Sequence, residues 1–243
     1  MRRRFFVDAF AADRAVLTGE AAHHLGRVLR AEPGQLYELS DGTSVRLGKI
    51  ECSGRDCVEF SLLEPIPVRT SSVRKTLLLA VVKFDAFEWA IEKATELGVD
   101  RIVPLAAARS EKGLLVAAGK RAERWKKIAF EASQQSRRVR LPAIENVAQP
   151  TAAFRAEGSA LKVMLSERNE VPSLRHVLEG QAATRASAMD VALAIGPEGG
   201  WTEAEFEAAG KAGFREASLG NLILRTETAV TACLAAANYA LEA

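Results

Sequence analysis

From Thr76 onward the sequence changes its rhythm, and that change limits the architectures open to it. The stretch "TLLLAVV" (76–82) is an unbroken apolar run of strand length. Behind it, Phe87, Ala90, Ile91 and Ala94 recur at helical spacing, Gly98 supplies a stop, and "RIVPLAA" (101–107) opens a second apolar run. The exchange continues through a basic helix around Trp125 and the runs "LKVMLSE" (161–167) and "DVALAI" (190–195). Thr202 with Glu205 three residues on then forms a capping-box pattern at a helix start. "ASLGNLILR" (217–225) predicts a short strand and turn ahead of an Ala-rich closing helix. Strands that never alternate with polar residues need cover on both faces, so this part of the chain predicts an α/β fold with a mostly parallel sheet between helical layers.

The first seventy residues read differently. Short alternating segments, "QLYELS" (35–40) and "CVEFSLL" (57–63), are separated by the turn signals "EPGQ" and "SDGT", the pattern of a β-rich domain. One helix is predicted inside "GEAAHHLGRVLRAEPG" (19–34), with Ala22, Leu25, Val28 and Leu29 inward, Arg27 and Arg30 on the opposite face, and Pro33-Gly34 as its stop. "EPIPVRTSSVRK" (64–75), with two prolines and a Ser/Thr cluster, reads as a linker. The predicted domains are therefore 1–70 and 74–243.

At 48% hydrophobic and 26% charged residues the chain has enough apolar material for packed cores. Its longest apolar runs fall short of the roughly 20 residues that span a bilayer. Asp8 interrupts the short apolar start, so no signal peptide and no membrane association are expected, and the expected location is cytoplasmic. Cys52, Cys57 and Cys233 suit a reducing compartment better than a disulfide framework, and no second Cys/His pair stands at metal-ligand spacing, so no metal is expected. Net charge is +2, but residues 73–147 carry fifteen Lys/Arg against nine Asp/Glu, concentrated in "KRAERWKKIAFEASQQSRRVR" (120–140). Charge alone favours a solvated helix face over a phosphate-binding one.

Ligands of open parallel sheets bind outside the carboxyl ends of the strands. Three loops fall there: "LSER" (165–168), "GPEGG" (196–200) and "GNLILRTET" (220–228). None fits a dinucleotide fingerprint, a Walker loop or a nucleophile elbow. What remains is recognition rich in backbone contacts, suited to a flat uncharged group such as an adenine ring. "GPEGG" is also compatible with a plain tight turn, and "RTET" with a helix start in which Thr226 caps, Glu227 complements the macrodipole and Arg225 forms a structural ion pair.

The pair "IGPEGGWTEAEF" and "LGNLILRTETAVTA" closely resembles the carboxy-terminal motifs of the SPOUT-superfamily RNA methyltransferases that act on uracil N3 in small-subunit (16S) ribosomal RNA. "HHLGRVLR", "DG" (41–42), "EKATELGVDRIVPL", "RS" (109–110) and "WKKIAFEASQQSRR" resemble the same family in the same order, across nearly the whole chain. The resemblance implies an amino-terminal PUA-like β-barrel (1–70) that holds RNA and a trefoil-knotted methyltransferase domain (74–243). It implies S-adenosyl-L-methionine bound in bent form at a homodimer interface.

On that resemblance the cofactor site comprises Leu165, Ser166 and Glu167 in the first loop and Ile195, Gly196, Pro197, Gly199 and Gly200 in the second. Leu219, Gly220, Asn221, Ile223, Leu224 and Thr228 complete it. Its glycines are expected to let backbone approach the cofactor, with Glu198 near the sulfonium. Methylation at N3 requires loss of the N–H proton, for which Arg225 is the expected anion stabiliser and Glu198 the expected base, with water as the other acceptor. Arg27, Arg30, Lys83, Arg109, Arg137 and Arg138 are the expected RNA contacts, and the target must be unpaired or flipped. The sequence departs from the family pattern at Phe84–Asp85–Ala86, where a Gly-Asp-Arg/Lys-like stretch is usual, at Gln134, often Glu, and at Asn221, often Pro or Arg. Two other readings are a non-catalytic RNA-binding or ribosome-assembly factor and a methyltransferase for another RNA position such as a ribose 2′-hydroxyl.

Overall fold

The structure, a computed structural model, describes residues 3–54, 56–69, 71–182 and 189–242. The chain divides into two compact units, one of residues 1–70 with 130–141 and one of residues 71–129 with 142–243.

The first unit is built on a five-stranded sheet of β1 (Arg4–Phe6), β2 (Arg14–Thr18), β3 (Leu36–Ser40), β4 (Val45–Ser53) and β5 (Cys57–Pro65). The order is β1-β3-β4-β5-β2, antiparallel except for β1 beside β3. In β2 buried and exposed residues alternate strictly, and its inward Ala15 and Leu17 join Phe5, Leu39, Ile50 and Phe60 in one core. Because β5 runs to Pro65, the predicted linker shortens to residues 66–72.

The predicted helix is shorter and bent out of period. α1 (Gly19–His23) passes directly into a π turn over His24–Val28, in which the Leu29 N–H donates to the His24 carbonyl at 3.0 Å. The wider turn rotates the later residues off the inward face. Leu25 stays buried, but Val28 is 60% exposed, and Arg30 leaves the helix with φ +49° and so does not share its face with Arg27.

Residues 130–141, which the sequence reading leaves with the later domain, lie in the first unit. The Arg4 guanidinium donates to the Arg137 carbonyl, the Ser40 hydroxyl donates to the Val139 carbonyl at 2.5 Å, and the Phe6 and Phe130 rings meet at 5.7 Å. Arg4 is itself buried and paired with buried Glu38 at 2.8 Å, with Arg137 3.7 Å from the same carboxylate. Buried charges persist only when so matched.

The second unit is a six-stranded sheet of β6 (Val73–Ala80), β7 (Arg101–Leu105), β8 (Ala143–Ile144), β9 (Leu161–Leu165), β10 (Met189–Ile195) and β11 (Arg215–Ala217). Its order is β11-β9-β10-β6-β7-β8 and every pairing is parallel. The connections carry α2 (Phe84–Glu96), α3 (Lys112–Ala118), α4 (Ala122–Gln135), α5 (Pro150–Ala156), α6 (Leu174–Ala182), α7 (Glu203–Lys211) and α8 (Thr226–Leu241).

The period of two sorts the apolar runs onto two cores. Leu77, Leu79, Val163 and Leu193 pack with Phe87 and Ile91 of α2 and with Val230 and Leu234 of α8. On the other face, Leu78, Ala80, Met164 and Ala194 pack with Phe154 of α5 and Ala209 of α7. Each fully buried Leu or Phe contributes about 1.5–3 kcal/mol of transfer free energy. Gly98, at φ +84°, ends α2 as predicted. At the amino end of β6, buried Lys75 pairs with Glu242 and donates to Asn238 at 2.6 Å, while the Asn238 amide donates to the Leu97 carbonyl at 3.0 Å. This ties the ends of α2 and α8 at the edge of the sheet opposite the loops described next. No described helix is long and apolar enough to cross a membrane.

Candidate active site

Three loops leave the carboxyl ends of β9, β10 and β11 and enclose a cavity of about 390 Å³. Leu165, Ser166, Glu167 and Arg168 come from the first loop. Ile195, Gly196, Pro197, Gly199 and Gly200 come from the second, with Trp201 behind them. Leu219, Gly220, Asn221, Ile223 and Leu224 come from the third. Thr226 and Ala229 of α8, Glu203 and Phe206 of α7, and Arg109 close the remaining sides.

The local chemistry explains why these loops meet. Thr202 and Glu205 form the predicted capping box at the start of α7. The Glu205 carboxylate also accepts the Ala108 N–H at 2.9 Å, which holds the segment after β7 against the cap. Gly200, at φ +70°, closes a turn in which its N–H donates to the Pro197 carbonyl at 2.8 Å.

Two glycines give way to protein side chains. A Cβ on Gly196 would lie 3.1 Å from the Trp201 indole, and one on Gly199 would lie 3.3 Å from Arg109 Cβ. The Trp201 ring, folded under Gly196, donates its Nε1–H to the Leu165 carbonyl at 3.1 Å and meets Phe154 edge-on at 5.8 Å. Arg109 Nη1 donates to the carbonyls of Gly199 at 2.8 Å and Trp201 at 3.1 Å. Smallness at 196 and 199 therefore serves the loop's own packing, in addition to the approach of a ligand that the sequence suggests.

Several predicted residues stand apart from the larger cavity. Thr228 is exposed and does not line it, because two residues beyond Thr226 an α-helix has turned by about 200°. Arg225 is the exposed N-cap residue of α8, lines neither this cavity nor the next, and makes no ion pair among the described residues. Thr226 does not cap α8; its hydroxyl donates to the Gly196 carbonyl at 3.1 Å and fastens the helix start to the glycine loop.

Glu198 also points elsewhere. With Lys83, Arg109 and Glu111, and with Val82 and Leu114 beneath, it lines a second cavity of about 290 Å³ that shares Arg109 and Gly199 with the first. Of the other expected RNA contacts, Arg27, Arg30, Arg137 and Arg138 belong to the first unit, with Arg27 and Arg30 exposed.

Some side chains around the cavities carry no periodic signal. Arg168 lies 3.6 Å over the Phe206 ring, pairs with Glu203 and reaches Glu216 at 3.3 Å, forming a charged wall of the larger cavity. The hydrogen bond that Arg168 donates to the Glu203 carboxylate holds the guanidinium above its ordinary pKa range. Phe84, where the family pattern has a small or polar residue, begins α2 and packs against Trp125 at 6.4 Å and under the Arg121 guanidinium at 4.5 Å. In the basic stretch, Arg121 and Arg124 hold buried Glu88 at 3.2 and 2.7 Å, so part of its charge serves the fold.

A parallel α/β sheet with a glycine-lined cavity at its carboxyl edge defines a protein that binds a small ligand through loop backbone. The chain belongs to the RNA methyltransferase domain family, matched over residues 69–238, and within it to the ribosomal RNA small subunit methyltransferase E group. It is 33% identical to ribosomal RNA small subunit methyltransferase E of Synechocystis over 93% of this chain and 73% of that protein. It is 31% identical to the Bacillus subtilis protein of the same description, over 93% and 90% respectively. Among solved structures it resembles the Neisseria gonorrhoeae ribosomal RNA small subunit methyltransferase E bound to S-adenosyl methionine, with TM-score 0.86, 29% identity and 98% of each chain covered. It also resembles a Legionella pneumophila methyltransferase in complex with the same cofactor, with TM-score 0.84, 28% identity, and 99% of this chain and 98% of that one covered.

Proposed function

We propose that this chain transfers the methyl group of S-adenosylmethionine to N3 of a uridine in small-subunit ribosomal RNA. The observation that carries the reading is the cavity of about 390 Å³ walled by the three loops at the carboxyl edge of the parallel sheet. Its donor set fits the cofactor. Loop backbone and the apolar Ile195, Leu219 and Leu224 suit an adenine ring, while the carboxylates of Glu167 and Glu203 and the guanidiniums of Arg109 and Arg168 suit a ligand carrying both signs of charge. The cofactor-bound relatives at 28–29% identity support the same occupant. Bound there, S-adenosylmethionine supplies a methyl on a sulfonium; as the N3 lone pair takes it, the C–S electron pair stays on sulfur.

The choice of uracil N3 rests on the motif resemblance. In this reading the first unit is a PUA-like barrel whose Arg27 and Arg30 meet phosphates, the last segments of the carboxy-terminal domain thread through a loop to make a trefoil knot, and the protein works as a homodimer. The exposed apolar side chains Leu222, Ile223 and Tyr239 suit such a contact.

The test has two parts. Calorimetry should find saturable S-adenosylmethionine binding that Ala229→Phe abolishes, since that substitution fills the cavity from a rigid helix. Incubation with labelled cofactor and small ribosomal subunits, followed by nucleoside mass analysis, should yield N3-methyluridine. Label in a 2′-O-methyl nucleoside would move the target, and absence of cofactor binding by the folded protein would leave an RNA-binding factor.

A further inference from the structure

We propose that the second cavity, beside the cofactor site, receives the target base and selects uracil over cytosine by its pattern of donors and acceptors; the inference rests on the function proposed above. This cavity opens where β6 ends and the β10–α7 loop begins. β6 and β10 are the neighbours at which the sheet divides, with β7 and β8 on one side and β9 and β11 on the other. That is the switch point at which open sheets of this kind take their ligands.

Its charged lining is unspent. Lys83, Glu111 and Glu198 make no side-chain hydrogen bond or ion pair among the described residues, although all three line one cavity. Arg109 is held by Nη1 alone, on the carbonyls of Gly199 and Trp201. A guanidinium has five N–H donors, so the three on Nε and Nη2 are fixed in place and left for a ligand. The floor is apolar, with Val82 buried and Leu114 half-buried, as the face of a base requires.

The Watson–Crick edge of uracil presents acceptor, donor, acceptor: O4, N3–H, O2. Its complement is donor, acceptor, donor, which Lys83, Glu198 and Arg109 supply. The N3–H proton passes to the Glu198 carboxylate and from that exposed group to water, leaving a lone pair on N3. The negative charge spreads onto O2 and O4, against the two cations. Cytosine offers a bare N3 lone pair where uracil offers a proton, so Glu198 would face a second acceptor and reject it. Arg109, shared by both cavities, fixes the position of the base relative to the cofactor.

The experiment uses the full-length protein and RNA oligonucleotides carrying 5-bromouridine or cytidine at the target position. Leu114→Trp, which fills the second cavity, should reduce photo-cross-linking of 5-bromouridine and the single-turnover rate at least 100-fold while S-adenosylmethionine affinity stays within threefold. Lys83→Met, at an exposed position, should move the pH at which the single-turnover rate is half its plateau upward by about one unit. Glu198→Gln should lower the rate and narrow the discrimination between uridine and cytidine. Wild-type protein that makes N3-methyluridine, with Leu114→Trp still cross-linking and turning over normally, overturns the subsite alone. Wild-type protein that binds cofactor and makes no N3-methyluridine overturns the functional reading and the subsite with it. An unmoved pH profile in Lys83→Met overturns the role of that cation even where Leu114→Trp fails to fold.

Discussion

Replacing Trp201 by Phe should loosen the second unit and its larger cavity together, because one indole joins two of the three loops. The substitution removes the donor that meets the Leu165 carbonyl at 3.1 Å and shrinks a ring that fills the space under Gly196 and meets Phe154 at 5.8 Å. Leaving a part-buried carbonyl without its donor costs about 1–3 kcal/mol, and the smaller ring forfeits roughly 1–2 kcal/mol of burial, so the expected loss is about 2–5 kcal/mol. For a unit of this size that corresponds to a fall in Tm of roughly 5–15 °C. Cofactor affinity should fall about tenfold if the loops keep their bound arrangement only a tenth of the time. Trp89, Trp125 and Trp201 all lie in the second unit, so tryptophan fluorescence reads that unit alone, and two tryptophans still report in the variant. Thermal melts followed by fluorescence, paired with calorimetry of S-adenosylmethionine, make the measurement. A variant that melts within 2 °C of the parent, about what 0.5–1 kcal/mol would produce, and binds cofactor as tightly would refute the reasoning.

Four further outcomes follow. Thr226→Val keeps the shape but deletes the hydroxyl that donates to Gly196, and should lower stability by about 1–2 kcal/mol in urea titrations, with Thr226→Ser close to the parent. Burial pushes the Cys233 thiol up from 9.0 to about 12, so iodoacetamide at pH 8 should label exposed Cys52 and Cys57 and spare Cys233 in the native protein. Since that folded value lies above the unfolded one, its contribution to stability is complete below pH 9 and is lost as pH rises toward 12, which urea midpoints at pH 8 and pH 10.5 should register. Arg27→Ala combined with Arg30→Ala should lower the slope of log affinity against log salt for ribosomal RNA by roughly 1.4–1.8 if each arginine neutralises one phosphate.

The parallel sheet was legible because strands buried on both faces have to be apolar throughout: "TLLLAVV" and "DVALAI" admit little else. The capping box at Thr202 was equally plain, since it uses only neighbours in sequence. What escaped reading depends on one residue more or on a distant partner. The π turn at His24–Val28 adds a single residue to one turn, which no spacing rule registers, and so Val28 was placed inward. Thr226 has the composition of a cap, yet its hydroxyl serves a carbonyl thirty residues earlier. Gly196 and Gly199 carry the signature of a ligand approach, and their freed space holds Trp201 and Arg109. A lone tryptophan just after a glycine turn was the available hint for the first of these; nothing in the sequence marked Arg168 over Phe206.

The return of residues 130–141 to the first unit has a consequence for the order of events during synthesis. Buried Arg4 and Ser40 find the Arg137 and Val139 carbonyls only after the intervening β6, α2, β7, α3 and the whole of α4 have been made. At about 5–20 residues per second, the seventy residues between Thr70 and Leu141 take roughly 4–14 s to emerge. For that interval the nascent sheet waits with a charged group and a hydroxyl still wet. The first part of the chain to leave the ribosome is therefore not the first to be finished, and a chain cut anywhere before Leu141 is expected to release a first unit that lacks its last layer.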